Sequence, residues 1–212
     1  MCLIIVAEKK RPSEELLRAG ALTNPHGAGI AWREKGSIKW EKGLGIEEAI
    51  KLIKHTPVPH VIHFRLASAG GASSRLAHPF PVSSHPDSRL KGIAEKVFFH
   101  NGHINGWELL AVQSAIASKW RIPRRLSDSV LLARLVALHG DGILQLYSAS
   151  NRFVLFDSRR ISLFGSWHDH EGVRVSNLAF QFSQKRSFGN WEKLMESAGR
   201  EYERLPHWND VN

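Results

Sequence analysis

The pattern of apolar and polar positions opens on Cys2-Leu3-Ile4-Ile5-Val6-Ala7, an unbroken apolar run that predicts a strand buried on both faces. Ser13 is placed to cap a short helix through Glu14, Glu15, Leu16 and Leu17, with Gly20 as its stop. The turn-rich segment Asn24-Pro25-His26-Gly27-Ala28-Gly29 leads into a hairpin with arms at 30–34 and 37–41, joined at Lys35-Gly36. Ile46, Ala49, Ile50 and Ile53 share one helical face, and Thr56-Pro57 ends that helix. Over 60–66 the alternation sets Val61, His63 and Arg65 on one face and Ile62, Phe64 and Leu66 on the other.

A loop rich in Gly, Ser and Ala at 67–74 precedes His78-Pro79-Phe80-Pro81, and 83–91 reads as an exposed loop. Residues 97–100 predict a further buried strand, broken abruptly by Asn101-Gly102-His103-Ile104-Asn105-Gly106. Helical spacing covers 107–120, and Ser127-Asp128-Ser129 opens an amphipathic helix through Leu131, Leu132, Leu135 and Leu138, closed by His139-Gly140. Strands are expected at 152–156, 161–164 and 173–176, with turns at Asp157-Ser158 and 167–172, and a surface helix in the tail over about 190–204. No internal repeat or low-complexity linker divides the chain. It reads as a single domain over 1–212 with its core at about 2–180, of α+β class, with helices packed outside antiparallel sheets.

Composition narrows the setting. A chain of 212 residues, 42% hydrophobic and 23% charged, is long enough to bury a core. Its apolar start is too short for a signal peptide or a membrane span. A single cysteine permits no internal disulfide and no thiolate cluster, so a reducing, cytoplasmic location is expected. The 29 basic against 20 acidic residues give a net charge of +9, which raises the question of nucleic acid. The basic residues are dispersed in short clusters beside turns, which favours solvated faces over a nucleic-acid surface. The 12 histidines have no zinc-ligand spacing, so no metal and no cofactor are expected.

Chemistry enters with Cys2. Removal of Met1 would put a thiol and a free α-amine on one residue, titrating near ~8.5 and ~7.7–8.0, so the amine can take the thiol proton at little cost. A lone cysteine in an apolar strand also serves as a small buried hydrophobe, and the residue by itself leaves both readings open.

Further segments follow in order: Asn24-Pro25-His26-Gly27-Ala28-Gly29-Ile30-Ala31-Trp32, His63-Phe64-Arg65 with Ala67-Ser68-Ala69-Gly70, His78-Pro79-Phe80, His100-Asn101-Gly102-His103-Ile104 and Ser127-Asp128-Ser129. With the Met-Cys start, this ordered set resembles the class II glutamine amidotransferase domain of the N-terminal-nucleophile (Ntn) hydrolases, and its short stand-alone members most. The resemblance implies a four-layer αββα sandwich of two stacked antiparallel sheets flanked by helices. It implies Cys2 as nucleophile with its own α-amine as base, and Asn101 with Gly102 as the oxyanion hole. Arg65 and Asp128 would hold the α-carboxylate and α-ammonium of glutamine, with Ser68 and Gly70 also at the substrate. His63, His78 and His103 would line the pocket, and Ser176-Asn177 would close its far side.

Each feature has a structural alternative. Asn-Gly is a common hairpin turn, an Asp in the first helical turn complements the helix dipole, and His63 also suits a hydrogen-bonded structural role. Leu3 stands where the family has Gly, and Ala69 where it often has His, which opens the question whether Leu3 narrows the room around Cys2. The implied activity is release of ammonia from glutamine through a Cys2 thioester, with any acceptor held by a separate synthase. The alternatives are hydrolysis of γ-glutamyl peptides or amines, and a basic module binding nucleic acid or a protein partner.

Overall fold

The structure, a computed structural model, describes residues 2–66, 73–85, 89–124 and 126–181. The expected tail helix lies outside these residues, as do Ser68, Ala69 and Gly70.

Strand β1 (Leu3–Ala7) is fully buried, and its alternation sends the two sets of side chains into different cores. Leu3, Ile5 and Ala7 join the cluster formed with α1 (Glu14–Thr23) and α2 (Ile46–His55). Ile4 and Val6 join a second cluster, shared with the other sheet. In β4 (His60–Phe64), Ile62 and Phe64 face the helices and Val61 faces the other sheet. The sequence pattern of β1 and β4 is the pattern of a central strand with cores on both sides.

One sheet has seven strands in the order β10-β11-β1-β4-β2-β3-β6, all paired antiparallel. It contains β2 (Ala28–Glu34), β3 (Ser37–Leu44), β6 (Lys91–Ala94), β10 (His168–His170) and β11 (Val173–Val175). The other has four, in the order β5-β7-β8-β9: β5 (Phe80–Pro81), β7 (Lys96–Asn101), β8 (Arg152–Asp157) and β9 (Ile161–Phe164). Val97, Phe99, Val154 and Phe156 meet Ile4, Val6, Trp40 and Val61 between the sheets. On the outer side of the smaller sheet, Phe98, Phe153 and Leu155 pack with Leu131, Leu132 and Leu135 of α4 (Asp128–His139) and Ala111 of α3 (Trp107–Ser118). Helices, sheet, sheet, helices: the layers are the αββα sandwich.

Several local expectations are corrected. Helix α1 runs three residues past Gly20 to Thr23. Gly20 marks a close approach and not a stop, since a Cβ there would lie 2.8 Å from Leu3 Cδ2 and 3.1 Å from the Phe64 ring. Strand β2 begins at Ala28, and β4 ends at Phe64, although Arg65 N still donates to Gly27 O (2.9 Å). Strand β6 stands at the end of the predicted loop, and β10 where a turn was expected, hairpinned to β11. Leu3 is fully buried on the helix side of β1, so it does not narrow the room around Cys2.

Gly29 carries the tightest backbone crossing of β2: a Cβ there would stand 1.9 Å from His78 O, against backbone that has no rotamer with which to yield. Gly29→Ala is expected to cost about 1–3 kcal/mol through overpacking. At roughly 2–4 °C per kcal/mol for a chain of this size, thermal denaturation should register a drop of several degrees. Gly142→Ala, where a Cβ meets open space, is the control expected to melt with the wild type.

Candidate active site

Cys2 lies one residue before β1 and lines a cavity of about 110 Å³, several times the roughly 10–15 Å³ that one water needs. Leu66 N donates to its Sγ at 3.4 Å, and Sγ lies 3.5 Å from Leu66 O. Burial pushes the thiol pKa up, and the Leu66 backbone bond and the charge of Arg65 oppose it. The sulfur therefore needs a base beside it to react at neutral pH.

The same cavity is lined by Arg65, His78, His100, Gly102, His103 and Asp128. These come from the ends of β4 and β7, the start of α4 and the segment before β5, so the stacking of the sheets brings them together. Leu76, Trp107 and Leu126 give the cavity an apolar flank. Arg65 is only 7% exposed, and its Nη1 donates to Ser73 O (3.0 Å). A planar guanidinium held at a cavity wall suits a carboxylate ligand.

Asp128 opens α4 just after the Ser127 cap, whose Oγ accepts from Val130 N (3.3 Å). Its Oδ1 accepts from Ser129 N (2.7 Å) and its Oδ2 from Ile104 N (3.1 Å). Oδ2 also lies 3.6 Å from His103 Nδ1. The carboxylate thus ties the start of α4 to the turn that follows Gly102 while still facing the cavity, and the helix-terminus role and the cavity role coexist.

A buried network fixes that turn. Asn151 Nδ2 donates to Tyr147 O (2.9 Å), which leaves Asn151 Oδ1 facing His100 Nε2 at 2.9 Å. An amide oxygen only accepts, so Nε2 carries the proton, and Nδ1 accepts from Ser129 Oγ (2.9 Å). The single hydroxyl proton of Ser129 is then spent on His100 in preference to the longer 3.3 Å contact with Asp128 Oδ1. Burial holds His100 below the usual histidine range, with Asp128 opposing. Gly102 has φ +148, and a Cβ on it would stand 1.9 Å from Asn151 Oδ1. Only glycine fits there.

Asn101 differs from its neighbours. It is 4% exposed and does not line the cavity, and its Nδ2 donates to Ser176 Oγ (2.9 Å). His63 also stays off the cavity wall, because strand alternation turns it between the sheets, where its ring packs on His78 at 4.3 Å. Burial lowers the His63 pKa to about 3, with Arg65 adding to it, and holds His78 well below the ordinary value. Both rings are neutral across the working range and lack hydrogen-bond partners. Asn151, just before β8, is the site-shaping residue that sequence reasoning missed, since no local pattern marks it; Ser129 stood in the Ser127-Asp128-Ser129 motif, but its bond to His100 was not readable there. Among the described residues no cluster of three His, Cys, Asp or Glu is placed to hold a metal ion.

The directions of these shifts set a test. Alkylation of Cys2 by iodoacetamide should climb with pH to a half-point above that of an ordinary cysteine. Arg65→Met removes a charge that favours the thiolate, so it should move that half-point higher still; a downward move would contradict the assigned electrostatics.

No family model matches this sequence, and comparison with curated proteins returns no relative. Among solved structures, the chain is similar to "the allosteric regulatory enzyme of purine biosynthesis" at 18% identity and a TM-score of 0.58. It is similar to the glutamine phosphoribosylpyrophosphate amidotransferase of B. subtilis, complexed with ADP and GMP, at 17% identity and a TM-score of 0.55. Each alignment covers 82% of this chain and 41% of the other, so this chain spans less than half the length of either neighbour. Among the described residues no helix is long and apolar enough to cross a membrane. The likeness establishes the architecture: the chain shares its fold with the matched part of these two enzymes.

Proposed function

We propose that this protein is a class II glutamine amidotransferase-like amidohydrolase that releases ammonia from glutamine through a thioester on Cys2. The observation that carries the reading is convergence. Cys2, Arg65, Gly102 and Asp128, distant in sequence, line one cavity, and Asn101 adjoins Gly102. In this reading Arg65 pairs with the substrate α-carboxylate and Asp128 with its α-ammonium, presenting the side-chain amide to Cys2.

With Met1 removed, the thiol gives its proton to the Cys2 α-amine as sulfur attacks the amide carbon. Negative charge gathers on the amide oxygen, where the Gly102 N–H at the cavity wall stabilises it, with the Asn101 N–H not spent on Ser176 as the further donor that this reading assigns from just behind that wall. The α-ammonium returns the proton to the departing nitrogen, the C–N bond breaks, and ammonia leaves a γ-glutamyl thioester. Water adds to the thioester carbon, the C–S bond breaks, and glutamate departs with the thiol restored. The base on the same residue answers the burial that raises the thiol pKa.

The apolar flank of Leu76, Trp107 and Leu126 favours a second reading on the same scaffold, in which the leaving group is an amine or peptide and the substrate a γ-glutamyl conjugate. Rates on glutamine and on γ-glutamyl peptides separate the two.

Cys2→Ala is expected to abolish glutaminase activity and covalent labelling by diazo-oxo-norleucine; labelling that survives the substitution sinks the assignment. Intact-protein mass spectrometry should find Met1 removed, since a retained methionine would acylate the amine that serves as base. Asn101→Ala, losing one oxyanion donor, should lower kcat by roughly 10²–10³-fold. Arg65→Lys, losing the two-pronged fit, should act mainly on KM, by roughly 10-fold or more.

A further inference from the structure

Ser176 and Asn177 directly follow β11 at the junction of the two sheets. Ser176 is 1% exposed, and its backbone N donates to Ile4 O (3.0 Å) while its Oγ accepts from Ile4 N (2.9 Å). The same Oγ accepts from Asn101 Nδ2 (2.9 Å), at the end of β7 in the other sheet. A serine hydroxyl has two acceptor lone pairs, so both are taken. Asn177 Nδ2 donates to Cys2 O (2.8 Å), and its Oδ1 accepts from Ala179 N (3.0 Å), which locks the amide. Within two residues the chain thus holds the carbonyl of the proposed nucleophile, the strand that carries it and the side chain of the proposed oxyanion donor.

We propose that Ser176 and Asn177 are the positioning residues that set Cys2 and Asn101 at their working separation, an inference that rests on the amidohydrolase reading above. Asn101 Nδ2 has two hydrogens. Ser176 takes one, which fixes the amide plane and directs the other. The apolar contacts between the sheets set only the spacing of the layers, whereas hydrogen bonds at 2.8–2.9 Å set the placement of individual atoms. Pinning the donor to the nucleophile's own strand keeps the two in register when the sheets shift against each other. Preorganised donors of this kind lose most of their effect when displaced by about 1 Å.

The test separates positioning through Asn101 from general loss of structure. Ser176→Ala should lower kcat on glutamine, or on the better γ-glutamyl substrate, by about 10- to 100-fold. KM should change by less than about threefold, because Arg65 and Asp128 are not touched. Iodoacetamide alkylation of Cys2 needs no oxyanion hole and should stay within about twofold of the wild type. Ser176→Thr keeps the hydroxyl and should recover most of the turnover. The double variant with Asn101→Ala should be no slower than Asn101→Ala alone, because both changes act on one donor. Should the alanine variant not fold, Ser176→Cys fills the site with a side chain of the same branching and a weak acceptor, and reads the same loss. Asn177→Ala should lower kcat by roughly 10-fold with KM held, by loosening the Cys2 end. Additive losses in the double variant, or Ser176→Ala turnover equal to the wild type, overturn the inference while wild-type turnover and Cys2 labelling leave the amidohydrolase reading intact. A wild type that neither turns over any γ-glutamyl amide nor labels at Cys2 overturns both.

Discussion

Ile4 and Val6 of β1 share one core with Val97 and Phe99 of β7, and through that contact the larger sheet lies face to face on the smaller. Cys2 lies just before the first of these strands, and Asn101 ends the second. The separation of Cys2 from the Asn101-Gly102 turn is therefore a consequence of sheet packing. A one-residue slip in the pairing of β1 with β4 would turn Ile4 and Val6 toward the helices and Leu3 and Ile5 toward the other sheet, so the register is strongly constrained. The stacked sheets supply the coarse distance, and the bonds at Ser176 refine it.

Burial governs the electrostatics of the site. The same desolvation that raises the Cys2 thiol lowers His63 and His78, because it disfavours whichever form is charged. The buried histidines are therefore neutral ring packing, His78 at the cavity wall and His63 behind it, and the charge at that wall belongs to Arg65 and Asp128. Each of these also has a structural bond, to Ser73 O and to the Ile104 and Ser129 amides, so each side chain is oriented before any ligand arrives. Such orientation removes an entropic cost from binding.

Much of this arrangement was legible in the chain. The helical face Ile46, Ala49, Ile50 and Ile53 and the Ser127-capped α4 were readable because period and cap are local properties. The edge strands β6 and β10 were not, since only four and three residues pair there, too few to show a period, and each takes strand form from its neighbour. Gly20 was misread as a stop because a glycine in sequence does not say whether it supplies a turn or yields space. Adjacency in sequence raised the question whether Leu3 crowds Cys2, and alternation answers it by sending Leu3 to the helix side of the strand.

The sequence by itself determined which segments alternate and where the long helices begin, and through its resemblance it offered Cys2, Arg65, Asn101-Gly102 and Asp128 as an ordered set. Tertiary structure alone decided that Cys2, Arg65, Gly102 and Asp128 share a cavity while His63 and Asn101 stand behind it. It alone decided that Asn151, Ser176 and Asn177 hold the Asn101-Gly102 turn and the strand that follows Cys2. The physical reason is range. Periodicity and capping act over a few residues along the chain, whereas the bonds that place these side chains join positions 51, 75 and 175 residues apart, and such pairings exist only once the sheets have stacked.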